Sequence, residues 1–102
     1  MLELRPNCEL CDRDLPADHP AARICSYECT FCAECVTAVL RNVCPNCGGG
    51  FQVRPIRPRG SWRTETGLEH DLPSAERRHL KYSMRQIEEL VERLHATAPD
   101  RR

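Results

Sequence analysis

Eight cysteines in four close pairs are the residues of this 102-residue chain best suited to chemistry. They run C-x2-C at Cys8 and Cys11, C-x3-C at Cys25 and Cys29, C-x2-C at Cys32 and Cys35, and C-x2-C at Cys44 and Cys47. Six of the eight lie within CSYECTFCAECVTAVLRNVCPNC, residues 25–47. Two residues between cysteines form a tight turn that aims both sulfurs at one tetrahedral ion, and two such turns complete a closed thiolate shell. Four pairs therefore predict two four-sulfur sites, with Zn²⁺ as the default occupant. Spacing leaves the pairing open, because Cys29, Cys32 and Cys35 follow one another at equal intervals.

Rival chemistries fit less well. Four disulfides would suit a short secreted chain, but MLELRPN has neither an apolar signal stretch nor a cleavage site, so a reducing cytosol is expected. A redox C-x-x-C usually occurs once, opening a helix in a thioredoxin-like βαβ pattern that is absent here. Iron–sulfur ligation uses the same thiolates and stays open beside zinc.

Composition points the same way. Aromatic residues make up 5% of the chain and charged residues 29%, too few and too many for a large hydrophobic core at this length. Structural zinc, at roughly 10 kcal/mol, can offset the ordering entropy that burial alone cannot. Fifteen basic and fifteen acidic residues cancel, which argues against holding nucleic acid by general electrostatics. No stretch approaches the ~20 apolar residues of a membrane span.

The elements that must position the cysteines are short. Residues 1–7 read as a lead-in, one extended segment beside the first metal turn. DRDLPADHPAARI, between Cys11 and Cys25, reads as a surface loop, with His19 an ordinary exposed histidine and the acidic CDRD a solvated turn. After Cys35, Val36, Val39 and Leu40 recur at helical spacing and predict about two turns with one apolar face on the metal core. Pro45 stiffens the last pair, and Gly48 to Gly50 free the backbone to leave it. FQV at 51–53 alternates as a short strand. These residues form a first unit, 1–53.

Residues 54–71 read as a Pro/Arg-rich linker in which Arg54, Arg57, Arg59 and Arg63 surround Trp62. An extended linker docking Trp62 on its own protein is the commoner arrangement, and phosphate and base contact the rarer one. An amphipathic helix is predicted over 72–98, starting at Asp71 or Ser74 around Pro73. Leu80, Met84, Ile87, Val91, Leu94 and Ala98 form one stripe, widened by Leu90, while Arg85, Glu89 and Arg93 lie four apart on the polar face. The stripe suits either a homodimer seam through Leu80, Met84, Ile87, Val91 and Leu94 or docking on the metal unit. His79 and His95, also on this helix, lie too far apart for local metal ligation.

The ligand order, the intervening loops, Phe31-Cys32 before the third pair and the final CPNC together resemble an all-cysteine RING-type zinc domain over Cys8 to Cys47. RING pairing is cross-braced, so the resemblance implies one ion on Cys8, Cys11, Cys32 and Cys35 and another on Cys25, Cys29, Cys44 and Cys47. LIM-type sequential pairing is the competitor, since LIM modules are also two residues apart, but LIM loops are longer. In RING ligases a conjugating enzyme docks at positions matched here by Leu10, Val39 or Leu40, and Pro45. This helix lacks the usual tryptophan, and Gly48 stands where active ligases often carry a basic residue.

More narrowly, CELCDRDLP with ICSYECTFCAEC and VCPNCGG resembles, over roughly residues 4–58, a family of small bacterial cysteine-rich proteins known only as a domain of unknown function. That resemblance implies a bacterial zinc protein and supplies no activity. The whole chain thus reads as a small metal-stabilised α+β protein: a RING-like two-zinc domain with a short helix and little strand, then a C-terminal amphipathic helix. It is expected in the cytoplasm with two Zn²⁺, acting through protein contacts. A ubiquitin-ligase-type adaptor and a nucleic-acid-binding zinc finger using the arginines of 54–63 are the alternatives. Closed thiolate sites leave no position for a reactive water, and neither a phosphate-cradling glycine loop nor GxSxG occurs, so no catalytic constellation is found.

Overall fold

Every residue from 1 to 102 is described in the computed structural model. Strands β1 (Ala22–Ile24), β2 (Thr30–Cys32) and β3 (Gln52–Val53) form an antiparallel sheet in the order β2-β1-β3. Arg23 of β1 lies opposite Phe31 on one side and Val53 on the other. Phe31 and Phe51 meet edge to face with ring centroids 5.4 Å apart, and both are buried. These two rings pack within the small core, beside Leu15, Leu40 and Val43.

Helix α1 (Ala33–Cys35) starts at Cys32 and continues into a wider π-helical stretch, Val36–Leu40. Arg41 and Asn42, both at positive φ, then end it. Leu40 is fully buried, with Val36 and Val39 packed against the core at its edge. The apolar face expected after Cys35 is thus present. The lead-in is tied down: Leu4 and Asn7 are buried, Asn7 bridges Asp14, and the Leu15 N–H donates to the Pro6 carbonyl at 2.8 Å. Nor is residues 12–24 only a surface loop, because Leu15 is fully buried and β1 lies within it.

The tail departs most from expectation. Helix α2 (Met84–Leu94) begins at Met84, not at Asp71 or Ser74. Its start is set by a capping box: the Ser83 hydroxyl accepts the Gln86 N–H, and the Gln86 side chain accepts the Ser83 N–H. Residues 72–82 instead run as an irregular strap along residues 4–9. The Ser74 N–H donates to the Leu4 carbonyl and the Leu80 N–H to the Glu9 carbonyl, each at 3.0 Å. Those long-range bonds satisfy backbone groups that a helix would have satisfied internally. His79 therefore lies in the strap and His95 caps the end of α2. Arg85 and Glu89 make the expected ion pair at 3.3 Å.

The stripe docks on the cysteine-rich unit. Ile87 and Val91 belong to the same core cluster as the cysteines, with Leu80, Leu90 and Leu94 beside it, while Met84 is 46% exposed. Beyond α2, Arg102 donates to the carbonyls of Asn42 and Gly48, at 2.8 and 3.0 Å, and ties the C-terminus to the fourth cysteine pair.

The arginine run divides. Arg54 is 2% exposed and donates to the carbonyls of Arg5, Leu15 and Pro16, while Arg57 donates to those of Asp71 and Leu2. Arg59 and Arg63 remain at the surface. Trp62 does not dock on the protein; it is 79% exposed on a loop closed by hydrogen bonds from Leu68 N to Pro58 O and from Ser61 Oγ to Thr66 O.

Candidate metal centre

Each cysteine pair sits on a turn whose backbone is shaped to bring sulfurs together. In the first, the Asp12 N–H donates to the Cys8 carbonyl at 2.9 Å and Asp12 takes a positive φ of 65°. In the second, Glu28 does the same, with its N–H on the Cys25 carbonyl at 3.0 Å and a φ of 67°. Cys32 ends β2 and caps α1, which places Cys35 one turn on. The fourth turn closes by Gly48 N to Cys44 O at 2.7 Å, with Gly48 at φ 79°, where a side chain would be strained.

These turns collect the sulfurs into two groups. Those of Cys8, Cys11, Cys32 and Cys35 all lie within 4.8 Å of one another; Cys11 is exposed and the other three are buried. Those of Cys25, Cys44 and Cys47 form a second set within the same limit, with Cys47 exposed. Cys29 stands outside that limit but near enough to Cys25 and Cys44 to perturb the ionisation of both. The first pair thus groups with the third, and the second with the fourth.

The donor chemistry fits a thiophilic cation. None of the eight cysteines is joined in a disulfide. Backbone N–H groups point at sulfur from Tyr27 to Cys25 (3.3 Å), from Cys35 to Cys32 (3.5 Å) and from Gly49 to Cys47 (3.4 Å). Such donors favour the thiolate, the form that binds metal. Hydrogen bonds from Cys29 and then Cys44 hold Cys25 down to about 3, and Cys44, as a donor, is pushed up. In the first group burial, then Cys32, pushes Cys35 up, and burial raises Cys8. Burial opposes ionisation of Cys32 too, but the Cys35 N–H and the neighbouring thiols outweigh it and lower its pKa. A divalent ion would displace the thiol protons on binding.

Sequence reasoning missed two residues around this centre. Glu9, between the first two cysteines and 6% exposed, accepts the Thr30 N–H at 2.6 Å, pairs with Arg5 at 3.1 Å and faces the Asn46 amide at 3.5 Å. It therefore links the first turn, β2 and the last turn. Asn7 is fully buried, and its amide takes both the N–H and the carbonyl of Arg78, at 3.1 and 2.8 Å. Glu9 is flanked by two ligand candidates and Asn7 adjoins one, but nothing local announces contacts so distant in sequence. His19 stays out of both groups, its Nδ1 accepting the Ala21 N–H at 3.0 Å.

No helix is long and apolar enough to cross a membrane. An uncharacterized protein of Rhizobium meliloti (strain 1021) is 62% identical over 58 residues, covering 57% of this chain and 69% of that protein. No solved structure matches the chain. Residues 1–57 match the family described as "Protein of unknown function (DUF1272)". On that match, which takes in all eight cysteines, the chain belongs to this family.

Proposed function

We propose that this protein is a structural zinc module that works through protein contacts, with one Zn²⁺ on Cys8, Cys11, Cys32 and Cys35 and a second on Cys25, Cys29, Cys44 and Cys47. The observation that carries the reading is the convergence of four sulfurs from two distant turns within 4.8 Å, three of them buried. Four thiolates saturate a tetrahedral ion, so the sites hold the fold together and offer no open position for catalysis. Cross-braced grouping and a short helix between the third and fourth pairs support a RING-like class. Free, clustered thiols suit a reducing cytoplasm.

Ligase-type activity is the weaker reading. Leu40 and Pro45 are buried, and Pro45 shares a groove with Tyr82, Ile87 and Leu90 of the chain's own tail. A conjugating enzyme would find those positions covered while the tail is docked. Nucleic-acid binding by the arginine run loses Arg54 and Arg57 to backbone carbonyls. A homodimer through the α2 stripe would require α2 to undock, since Ile87 and Val91 are buried within the chain.

The test is native mass spectrometry of protein purified without added metal, beside Co²⁺-substituted protein. Two zinc ions per chain and an intense sulfur-to-cobalt charge-transfer band from four thiolates per site are expected. Four disulfides and no metal would refute the reading.

A further inference from the structure

We infer that the face formed by residues 4–14 and the π-helical stretch Val36–Leu40 is a peptide-binding groove, and that residues 71–94 are its tethered, exchangeable ligand. The inference rests on the reading of the metal unit as a binding scaffold and names what it binds: an extended segment carrying Arg-Arg-x-Leu, followed by a capped amphipathic helix.

Three observations carry it. The first is the mode of contact. The strap has no regular structure of its own, and main-chain groups hold it: Leu4 and Glu9 carbonyls accept its N–H groups, and the buried Asn7 amide grips both polar groups of one residue, Arg78. Main-chain hydrogen bonding to an extended segment is one way in which proteins recognise peptides. The second is complementarity along the segment. The Arg77 guanidinium reaches Asp12 at 2.8 Å and Asp14 at 2.7 Å, and beyond it Leu80, Ile87 and Val91 meet the core. Charge selects the extended half and apolar spacing the helical half.

The third is the hinge. The family match ends at residue 57, before the tail. The loop between closes on itself, through Leu68 N to Pro58 O and Ser61 Oγ to Thr66 O. Gly67, at φ 90°, lets the two limbs approach so closely that a Cβ there would lie 2.5 Å from the Gly60 carbonyl. These contacts join the two limbs of the loop within residues 58–68, and the Arg57 bond to the Asp71 carbonyl, at 2.8 Å, marks the head of the docked segment.

The experiment uses the full chain, with a protease recognition sequence inserted after Arg63, folded with its metal and then cut once there. A fluorescein-labelled peptide of residues 68–102 is added in excess. Exchange is expected: anisotropy rises, the unlabelled tail is released, and the metal content is unchanged. The uncut chain should bind the peptide at least about tenfold more weakly, because its own tail competes at high effective concentration. Arg77→Glu or Ile87→Asp in the peptide, changes that leave the groove untouched, should each weaken binding about tenfold or more. A cut chain that keeps its metal but does not take up the peptide would overturn the inference. So would loss of metal on cutting, which would make the tail integral to the unit. Metal counted before the cut tests the zinc reading separately.

Discussion

At the scale of single residues, the unusual group is Arg54, a cation buried at the centre of a chain whose charges otherwise lie mostly at the surface. Burial lowers its pKa, and three backbone carbonyls rather than a carboxylate surround it. It clamps the lead-in at Arg5 to the turn at Leu15 and Pro16. Arg54→Met keeps the aliphatic stem but strands those carbonyls, and should lower the unfolding free energy of metal-loaded protein by about 3 kcal/mol in urea titration. Glu9 has a parallel role between the cysteine turns. Glu9→Gln retains an acceptor for Thr30 and should be milder than Glu9→Ala, a ranking that the same titration reads directly.

At the scale of elements, α2 is specified by its cap and its face together. Ser83→Ala removes the hydroxyl of the capping box and should cost about 1 kcal/mol, with a loss of helical ellipticity confined to the tail. Ile87, 2% exposed, should matter more: Ile87→Ala leaves a cavity against the metal core and is expected to cost on the order of 3 kcal/mol. A Met84→Ala change of similar chemistry on the same helix should cost far less, because that side chain is 46% exposed. The contrast between these two variants in thermal unfolding tests whether the stripe is used in docking.

At the scale of the molecule, one core cluster contains both groups of cysteines together with Ile87 and Val91. Metal removal should therefore melt the tail helix along with the metal unit, although no ligand candidate lies on it. Chelator titration followed by far-ultraviolet circular dichroism and by a zinc indicator should give coincident curves. Helicity surviving complete metal removal would show α2 to be stable alone, which its eleven residues make unfavourable in water.

Local patterns were legible in the amino-acid sequence. The four cysteine turns depend on residues two or three apart, the apolar face after Cys35 on helical periodicity, and the α2 stripe on the same period, so each could be read without knowing the fold. Ser83 and Gln86 also carried a readable signal, the S-x-x-Q capping box, yet Pro73 and Ser74 offered a competing start. What decided between them was the strap's hydrogen bonding to Leu4, Asn7 and Glu9, some seventy residues away in the chain. The burial of Arg54, the bridging by Glu9 and the exposure of Trp62 are of the same kind. Such contacts depend on which backbone groups the packed chain leaves unsatisfied, and that is set only once distant segments have come together. Donors, their turns and the helical face were set by residues close in the chain; which turns lie together and where the tail is held were set by contacts between distant segments.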